Sequence, residues 1–374
     1  GGGFWGLCKK KKTIPPALFG WGGGGVGPMK AVYLTAHGGP EVLTYGDLPE
    51  PQAGFGEVKV RVRACALNRL DTFVRLGVRG QKREFKEPLI LGCDTAGDVV
   101  EVGEGVTQVQ AGQRVVLDPV VTCAQCPFCL AGQDDLCRRR RMLGSTLNGG
   151  YAESIKAPAV NAFPIPPNLS YEEAAALPTT FMPVWQMLVR KGALKPWETL
   201  LVLSASSGVG AAALQVAKGV VGARVIATTS SPEKAQKARA AGADQVVLYT
   251  QEDITQRVME LTQGRGVDMV VDHVGSDFYE KAFACLARGG RYAVCGVTSG
   301  YKANLHLGQL FDRQLTLFGV SMGSKEDLRQ VMEAAARGRI RPAIDRAFPL
   351  KEAPDAHRLM ESRAFFGKIL LRVP

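Results

Sequence analysis

The sequence predicts an α/β protein that combines a β-rich, barrel-like part with a doubly wound parallel sheet of six strands. From Met29 to about Glu153, short alternating runs are separated by glycine and proline. From about Pro178, short apolar runs alternate with helical stretches. The length of 374 residues is long for one domain and sufficient for two.

The β-rich part is predicted from strands in which apolar and charged residues alternate. The segment EVKVRVRACAL at 57–67 has this pattern, which is typical of a strand with one buried face. The segments DVVEVGEGV at 98–106 and QRVVLDPV at 113–120 repeat it. Several short strands of this kind predict a compact, barrel-like β-domain.

The second part is predicted from apolar runs that fit strands covered on both faces. The helical stretch GVGAAALQVAKGVV directly follows the first of them. We expect a C-terminal helix and the last strand, KILLRVP, to return to the first domain. The predicted domains are therefore 29–179 together with 322–374, and 180–321. The six predicted strands are at 199–205, 223–229, 245–249, 267–275, 291–297 and 315–320.

Composition and cysteine usage narrow the class of protein. Hydrophobic residues make up 46% and charged residues 22%, and no apolar run reaches the roughly 20 residues of a membrane helix. The nine cysteines lack the dense, even arrangement of a secreted disulfide scaffold, so we expect a reduced, cytoplasmic protein. Residues 1–28 are glycine-rich and without periodicity, and we interpret them as a disordered, tag-like or mis-called segment. Four of the +11 formal charges, Lys9–Lys12, then lie outside the fold.

A glycine turn between the first strand and helix of the second part predicts a dinucleotide site. The turn Gly208-Val209-Gly210 lies in SASSGVGAAALQVAK. Small residues let the backbone approach a pyrophosphate, and the helix N-terminus supplies free N–H groups and a positive dipole end. An ordinary tight turn is the alternative, but five further strand–helix units favour the nucleotide site.

The end of the second predicted strand indicates which dinucleotide is bound. An NAD site usually carries an acidic residue about 20 residues after the glycines. Hydroxyl residues at 228–231 stand here instead, and Lys234 lies one turn later. These groups can bind a 2′-phosphate, and no carboxylate repels it, so we expect NADPH to be preferred, with NADH possible. Ser231 and Pro232 also fit the start of a helix, and the two roles are compatible.

Four cysteines in one short segment predict a metal site. Cys123, Cys126, Cys129 and Cys137 have the spacing C-x2-C-x2-C-x7-C. Four thiolates fill the tetrahedral shell of Zn²⁺, so a zinc ion held by them is structural. The alternatives are an iron–sulfur cluster, whose usual spacing differs at the fourth cysteine, and free or disulfide-paired thiols.

Four arginines directly follow the last of these cysteines. A zinc loop with a basic flank could bind phosphates of a nucleic acid. Arg138–Arg141 are accompanied by no aromatic interleaving, no second zinc finger and no recognition helix. We interpret them as a solvated basic face of the lobe 120–141, and we expect no nucleic-acid partner.

Taken together, the segments resemble the medium-chain dehydrogenase/reductase superfamily, in its group of zinc-type alcohol dehydrogenases and quinone oxidoreductases. The resemblance covers about 29–374. It implies a GroES-like catalytic domain, a Rossmann cofactor domain, a cleft between them, a structural zinc in the cysteine lobe, and a homodimer or homotetramer. The segments that carry it are MKAVYLTAHGGPEVL, LNRLDTFVRLG, LGCDTAGDVVEVGEGV, the cysteine lobe, GGYAES, SASSGVG and FGKILL.

The sequence departs from this family at the catalytic zinc. Members with that zinc carry a Cys in the segment matching 67–77, a His-Glu pair after the glycine, and a Cys or Asp before the cofactor domain. The corresponding residues here are Asn68, Cys93-Asp94 and Thr179. Asn and Thr are poor zinc ligands, and none of the four histidines falls in these segments. The quinone oxidoreductase branch also has Asn at the first position and works without this metal.

We therefore expect hydride transfer from NAD(P)H to a small-molecule carbonyl, quinone or enone without a catalytic zinc. The cofactor carries the hydride chemistry, and conjugated acceptors spread the negative charge that a simple ketone would need zinc to stabilise. Asn68 would donate a hydrogen bond to the acceptor oxygen. The predicted catalytic residues are Asn68, Asp71, Cys93, Asp94 and Thr180. The predicted cofactor contacts are Ser207, Gly208, Val209, Gly210, Thr229, Ser230, Lys234 and Val297.

Other interpretations stay open for these residues and for the whole chain. Asn68 could bond a turn, Asp71 could cap a helix over 71–76, and Cys93 could be a small buried hydrophobe. The chain could also be a zinc-dependent alcohol dehydrogenase with an atypical site at Cys93 and Asp94. A third possibility is a non-enzymatic, dinucleotide-binding sensor or nucleic-acid-binding protein.

Overall fold

The computed structural model describes residues 27–374. Most of the segment interpreted above as tag-like, including Lys9–Lys12, lies outside these residues. Its last residue does not fit that interpretation, because Pro28 already begins the first strand and pairs with Pro49. The carbonyl of Gly27 also accepts a hydrogen bond from the backbone N–H of Glu50 at 3.1 Å.

The described residues form eighteen strands and eleven α-helices. No helix among them is long and apolar enough to cross a bilayer. The helices that end at Trp185 and Gln215 continue as π-helical turns at 186–191 and 216–221. The strands are β1 (Pro28–Leu34), β2 (Thr44–Pro49), β3 (Glu57–Ala66), β4 (Leu89–Ile90), β5 (Asp94–Val102), β6 (Arg114–Leu117), β7 (Val120–Val121), β8 (Arg141–Met142), β9 (Ser154–Pro158), β10 (Ala162–Pro164), β11 (Thr199–Val202), β12 (Arg224–Thr229), β13 (Gln245–Leu248), β14 (Val267–Asp272), β15 (Leu286–Val294), β16 (Thr316–Gly319), β17 (Ile344–Pro349) and β18 (Lys368–Arg372). The helices are α1 (Arg69–Leu76), α2 (Pro127–Leu130), α3 (Tyr171–Ala175), α4 (Pro178–Trp185), α5 (Gly208–Gln215), α6 (Pro232–Ala240), α7 (Ile254–Leu261), α8 (Ser276–Ala284), α9 (Leu307–Asp312), α10 (Lys325–Ala336) and α11 (Ala353–Ser362).

The larger sheet of the β-rich part has the strand order β10-β6-β5-β3-β18-β17, with β9 also paired to β3. Along β3, Val58, Val60 and Val62 are fully buried, as the alternating pattern predicted. The last strand, β18, pairs antiparallel with β3 and places Leu370 opposite Ala66. The end of the chain therefore lies beside the segment that follows β3.

The second sheet contains six parallel strands in the order β13-β12-β11-β14-β15-β16, which confirms the doubly wound prediction. The strand order reverses between β11 and β14, and the carboxyl ends of the strands border a crevice there. Strand β15 begins at Leu286, earlier than the predicted residue 291. The difference arises because α8 already ends at Ala284 and Leu286 pairs with Val267.

One hydrophobic core extends from the first sheet to the second. It includes Ala64 of β3, Leu200 of β11 and Phe181 of α4, and Leu328 of α10 packs into the same cluster. Helix α4 therefore lies where the two sheets meet, and its first turn is at the edge of the crevice. The exact domain boundaries stay a prediction.

Candidate active site

The segment between β3 and α1 carries the first predicted site residue. Asn68 is the N-cap of α1, so the helix begins two residues before the start expected at Asp71. The backbone N–H of Asn68 donates to Asp71 Oδ2 at 2.7 Å, which is the reciprocal bond of a capping box. The side-chain amide of Asn68 also reaches a buried polar cluster, where its Nδ2 donates to Asp94 Oδ2.

Asp71 links the start of α1 to the segment before β5. Its second oxygen, Oδ1, accepts from the backbone N–H of Gly92 at 3.1 Å. Burial raises the pKa of this carboxyl to about 7; the bonds from Asn68 and Gly92 act in the opposite direction, and the charge of Asp94 adds to the rise. Since both oxygens bind backbone donors, the geometry favours a positioning role for Asp71 over contact with a substrate.

The residues Gly92 and Cys93 pack tightly behind the site. Gly92 has φ +98°, and a Cβ there would lie 2.5 Å from the Tyr151 ring and 2.7 Å from Cys65 Sγ. The thiol of Cys93 is fully buried, and burial raises its pKa well above the ordinary value. These surroundings fit the alternative in which Cys93 is a small buried hydrophobe.

Asp94 is the centre of a closed network of hydrogen bonds. Its Oδ1 accepts from the backbone N–H of Thr179 at 3.0 Å and from the Thr179 hydroxyl at 2.6 Å. Its Oδ2 accepts from Asn68 Nδ2 at 2.9 Å and from Lys368 Nζ at 3.1 Å. Lys368 Nζ also donates to Asn68 Oδ1 at 2.7 Å. The structure thus brings together three residues from the predicted zinc-ligand segments and adds a lysine.

Sequence reasoning missed Lys368 as a site residue. It begins β18, its side chain is 4% exposed, and it forms an ion pair with the fully buried Asp94. Its Cδ atom would lie 3.1 Å from a Cβ at Gly208, so the side chain also borders the glycine turn. The available signal was a charged residue at the start of the apolar run KILL, because a buried lysine requires a partner.

Thr180, predicted as catalytic, has its hydroxyl directed elsewhere. Its Oγ1 donates to the carbonyl of Ala176 at 2.9 Å within the same helical segment. Its methyl group faces the glycine turn, 2.8 Å from where a Cβ of Gly208 would lie. The neighbour Thr179 makes the polar contact instead, because α4 presents that side chain to Asp94.

The glycine turn lies at the start of α5. Ser207 is the N-cap of α5 and accepts from the backbone N–H of Gly210 at 2.9 Å. A Cβ at Gly210 would lie 2.5 Å from the Ser204 carbonyl oxygen. Val209 is half-buried in the first turn of the helix. Glycines at 208 and 210 therefore let the start of α5 pack closely against Lys368 and Ser204, at the reversal of strand order.

The end of β12 places the predicted 2′-phosphate residues at one edge of the crevice. Thr229 is fully buried, and its hydroxyl has no hydrogen-bond partner among residues 27–374. Ser230 is half-buried beside it. Lys234 Nζ donates to the carbonyl of Arg363 at 2.7 Å, and burial lowers the pKa of this lysine. Ser231 caps α6, as the sequence indicated.

Val297 lies in the loop after β15, at the same edge of the sheet. Its carbonyl accepts from Arg79 Nη1 at 3.0 Å, and the carbonyl of Thr298 accepts from Arg79 Nη2 at 2.6 Å. Arg79 follows α1, so this contact joins the two parts of the molecule across the crevice. No pattern in the sequence indicated it.

The four cysteines of the lobe converge as predicted. Their Sγ atoms all lie within 4.8 Å of one another, and the Cys123–Cys137 and Cys126–Cys129 pairs are each 3.5 Å apart. A zinc tetrahedron with bonds of about 2.3 Å has edges of roughly 3.8 Å, so the four sulfurs fit this ion. Zinc held here would cross-link the lobe and leave no open coordination position.

The lobe is also fastened to the helices that flank the crevice. Asp135 Oδ2 accepts from Gln186 Nε2 at 2.6 Å and from Arg190 Nη2 at 3.1 Å. Arg140 donates to the Asp135 carbonyl at 3.2 Å and to Ser321 Oγ at 3.0 Å. Part of the arginine run is therefore an anchor between segments, and the interpretation of a wholly solvated face is incomplete.

These features define an oxidoreductase of the zinc-binding dehydrogenase type. The zinc-binding dehydrogenase family matches residues 208–337, and the alcohol dehydrogenase GroES-like domain matches 54–167. An NAD-dependent alcohol dehydrogenase of Sulfolobus acidocaldarius is 32% identical, over 92% of this chain and 100% of that protein. A quinone oxidoreductase of Pseudomonas aeruginosa is 33% identical, over 91% of this chain and 99% of its own length.

A solved structure, a crystal structure of an NAD-dependent alcohol dehydrogenase, has 45% identity and a TM-score of 0.88. The match covers 92% of this chain and 100% of the chain in that structure. The chain therefore belongs to the medium-chain dehydrogenase/reductase superfamily.

Proposed function

We propose that this protein reduces conjugated carbonyl acceptors, such as quinones and enones, with NADPH and without a catalytic zinc. The observation that carries the proposal is the network of Asn68, Asp94, Thr179 and Lys368. The four hydrogen bonds to Asp94 use both of its oxygens, and an ammonium group supplies the positive charge. A catalytic zinc needs three good ligands and an open position, and this set of side chains does not fit that requirement.

The hydrogen bonds of the network also favour one group as the donor to the acceptor oxygen. The amide hydrogens of Asn68 are directed to Asp94 Oδ2 and, at 3.3 Å, to the carbonyl of Ala66. Lys368 uses two of its three N–H donors, for Asn68 and Asp94. We therefore propose the third N–H of Lys368 as the donor to the acceptor oxygen, in place of the Asn68 amide expected from the sequence.

In the proposed reduction, the positive charge of Lys368 is already in position before the substrate reacts. When bound, the reduced nicotinamide supplies the hydride. The Lys368 ammonium stabilises the negative charge that develops on the acceptor oxygen, while Asn68 and Asp94 hold the ammonium in position. Asp71 fixes the backbone on both sides of the network. The reduced acceptor then takes its proton from solvent.

The proposal is tested by zinc stoichiometry combined with acceptor assays. We expect one tightly bound zinc per chain, and NADPH oxidation with a quinone or an enone that is much faster than with a simple aldehyde. Two zinc ions per chain, together with loss of alcohol oxidation after mild chelation of a folded sample, would instead establish the zinc-dependent alcohol dehydrogenase alternative.

The preference for NADPH is tested at the end of β12. Thr229→Asp is expected to lower the ratio of kcat/KM for NADPH to that for NADH at least about tenfold, because a carboxylate there repels a 2′-phosphate; tenfold corresponds to about 1.4 kcal/mol. Thr229→Asn is the neutral control of similar size and should leave the ratio near its original value. An unchanged ratio in both variants would show that the end of β12 does not contact the 2′-phosphate.

We further propose a cytoplasmic homodimer or homotetramer that pairs through β16. This strand is at the edge of the second sheet and carries exposed Leu317, and Leu307 and Phe311 expose apolar surface nearby. An exposed, apolar edge strand is a template for pairing with a second chain. Leu317→Lys should shift the mass measured by light scattering toward that of one chain. Thr316→Lys is the control, because it adds the same charge to the same strand without removing an apolar side chain. A wild-type mass of one chain would contradict this assembly.

A further inference from the structure

His273 lies at the point where the proposed dinucleotide would cross the second sheet. It directly follows β14, and β14 and β11 are the neighbours between which the strand order reverses. Its ring faces the glycine turn, since Nε2 lies 2.7 Å from Ser207 Oγ. Asp272 holds this position rigid: its Oδ1 accepts from the backbone N–H groups of Val274 and Gly275, at 2.7 and 2.9 Å.

The hydrogen bonds around Ser207 favour one tautomer of this ring. Ser207 Oγ already accepts from Gly210, so its own hydrogen is free to donate to His273 Nε2. This assignment satisfies the most groups and places the ring proton on Nδ1. Burial lowers the pKa of His273 to about 4, which keeps the ring neutral near pH 7.

The remaining ring nitrogen has no partner in the protein. His273 is 8% exposed, and its Nδ1 is buried without a hydrogen bond to any of residues 27–374. A buried donor without an acceptor costs about 1–3 kcal/mol, so native proteins rarely retain one without a reason. A ligand oxygen that reaches this place would remove the cost.

We propose that His273 is a cofactor-binding residue whose Nδ1–H donates to an oxygen in the ribose–diphosphate portion of the bound dinucleotide. This inference rests on the proposed dinucleotide site. Ser207 connects the two parts of that site, because it caps the helix that would face the pyrophosphate and also orients the His273 ring. This bond would be made to a part of the cofactor that NADPH and NADH share. The residues at the end of β12, in contrast, are proposed to distinguish the two cofactors by the 2′-phosphate.

Two substitutions separate this bond from the contact with Ser207. His273→Gln can keep an amide near the Nε2 position but has no donor at Nδ1, whereas His273→Asn can keep an N–H near Nδ1. We expect His273→Gln to weaken the binding of both NADPH and NADH about five- to tenfold, which matches the loss of one hydrogen bond. His273→Asn should bind both within about twofold of the wild type.

The outcomes distinguish this inference from the proposed function. If the wild type binds neither dinucleotide, the proposed function fails. If the wild type binds them and His273→Gln binds equally well, only the role of His273 is overturned. Equal weakening in both variants, together with equal losses in thermal stability, would assign His273 a purely structural role. In the wild type labelled with ¹⁵N-histidine, the Nδ1–H resonance should shift when NADPH is added, and an unchanged resonance would also overturn the proposal.

Discussion

Lys368→Met is expected to abolish most of the reductase activity and to destabilise the fold. The substitution removes the ammonium from a site where Lys368 is 4% exposed and Asp94 is fully buried. Removing one partner of a buried ion pair leaves an uncompensated charge and typically costs about 3–5 kcal/mol. Removing a donor aimed at a developing oxyanion typically costs about 10²–10³ in rate. Thermal unfolding and kcat/KM with a quinone, measured well below the melting temperature of the variant, test both expectations.

A double variant distinguishes the effect of the buried charges on stability from the effect of Lys368 on the reaction. Asp94→Asn, combined with Lys368→Met, removes both charges, and the double variant should recover stability relative to Lys368→Met alone. Its activity should remain low, because no donor faces the acceptor. Activity near the wild-type value in Lys368→Met would contradict the proposed role, whatever the change in stability.

Cys123→Ser should release the structural zinc and destabilise the lobe. Zinc bound by cysteines contributes its binding free energy to folding, and three remaining thiolates bind the ion much less tightly. A loss of about 3 kcal/mol corresponds to roughly 6–12 °C in Tm for a domain of 150–250 residues. We also expect lower activity, because the lobe residue Asp135 holds Gln186 and Arg190 at the end of the helical segment that carries Thr179.

Arg139→Ala is the matched control for this prediction. Arg139 is in the same lobe but is exposed, and it is not a zinc ligand. Its substitution should retain one zinc per chain and change the free energy of unfolding by less than about 0.5 kcal/mol. Unchanged zinc content and an unchanged Tm in Cys123→Ser would show that the lobe folds without the metal.

Much of the fold follows from local patterns that the sequence displays directly. The strands of the second sheet are short apolar runs, and the turn that follows each strand lies within a few residues of it in the sequence. The four cysteines of the lobe span only 15 residues, from Cys123 to Cys137, so their spacing nearly fixes how they can converge. The glycine turn was predictable for the same reason: its small residues lie between one strand and one helix.

The residues of the candidate active site were only partly predictable. Asn68 and Asp94 could be singled out because they occupy places where related enzymes carry ligands. Their roles could not be assigned, since a side chain's partner depends on which segments meet. The amide of Asn68, which we expected to donate to the substrate, donates to Asp94 Oδ2 and accepts from Lys368 Nζ. Thr179 replaced Thr180 at the network because the direction of a helix's first turn decides which side chain faces inward.

The sequence alone determined the α/β class, the six-stranded doubly wound sheet, the glycine turn and the cluster of four cysteines. These features depend on periodicity and on spacing over short distances along the chain. Only the tertiary structure decided what surrounds the reacting atoms. Lys368 meets Asn68 across 300 residues and Asp94 across 274. His273 meets Ser207 across 66 residues. Contacts at such separations arise when the sheets pack and the chain end returns to β3, and no local pattern records them.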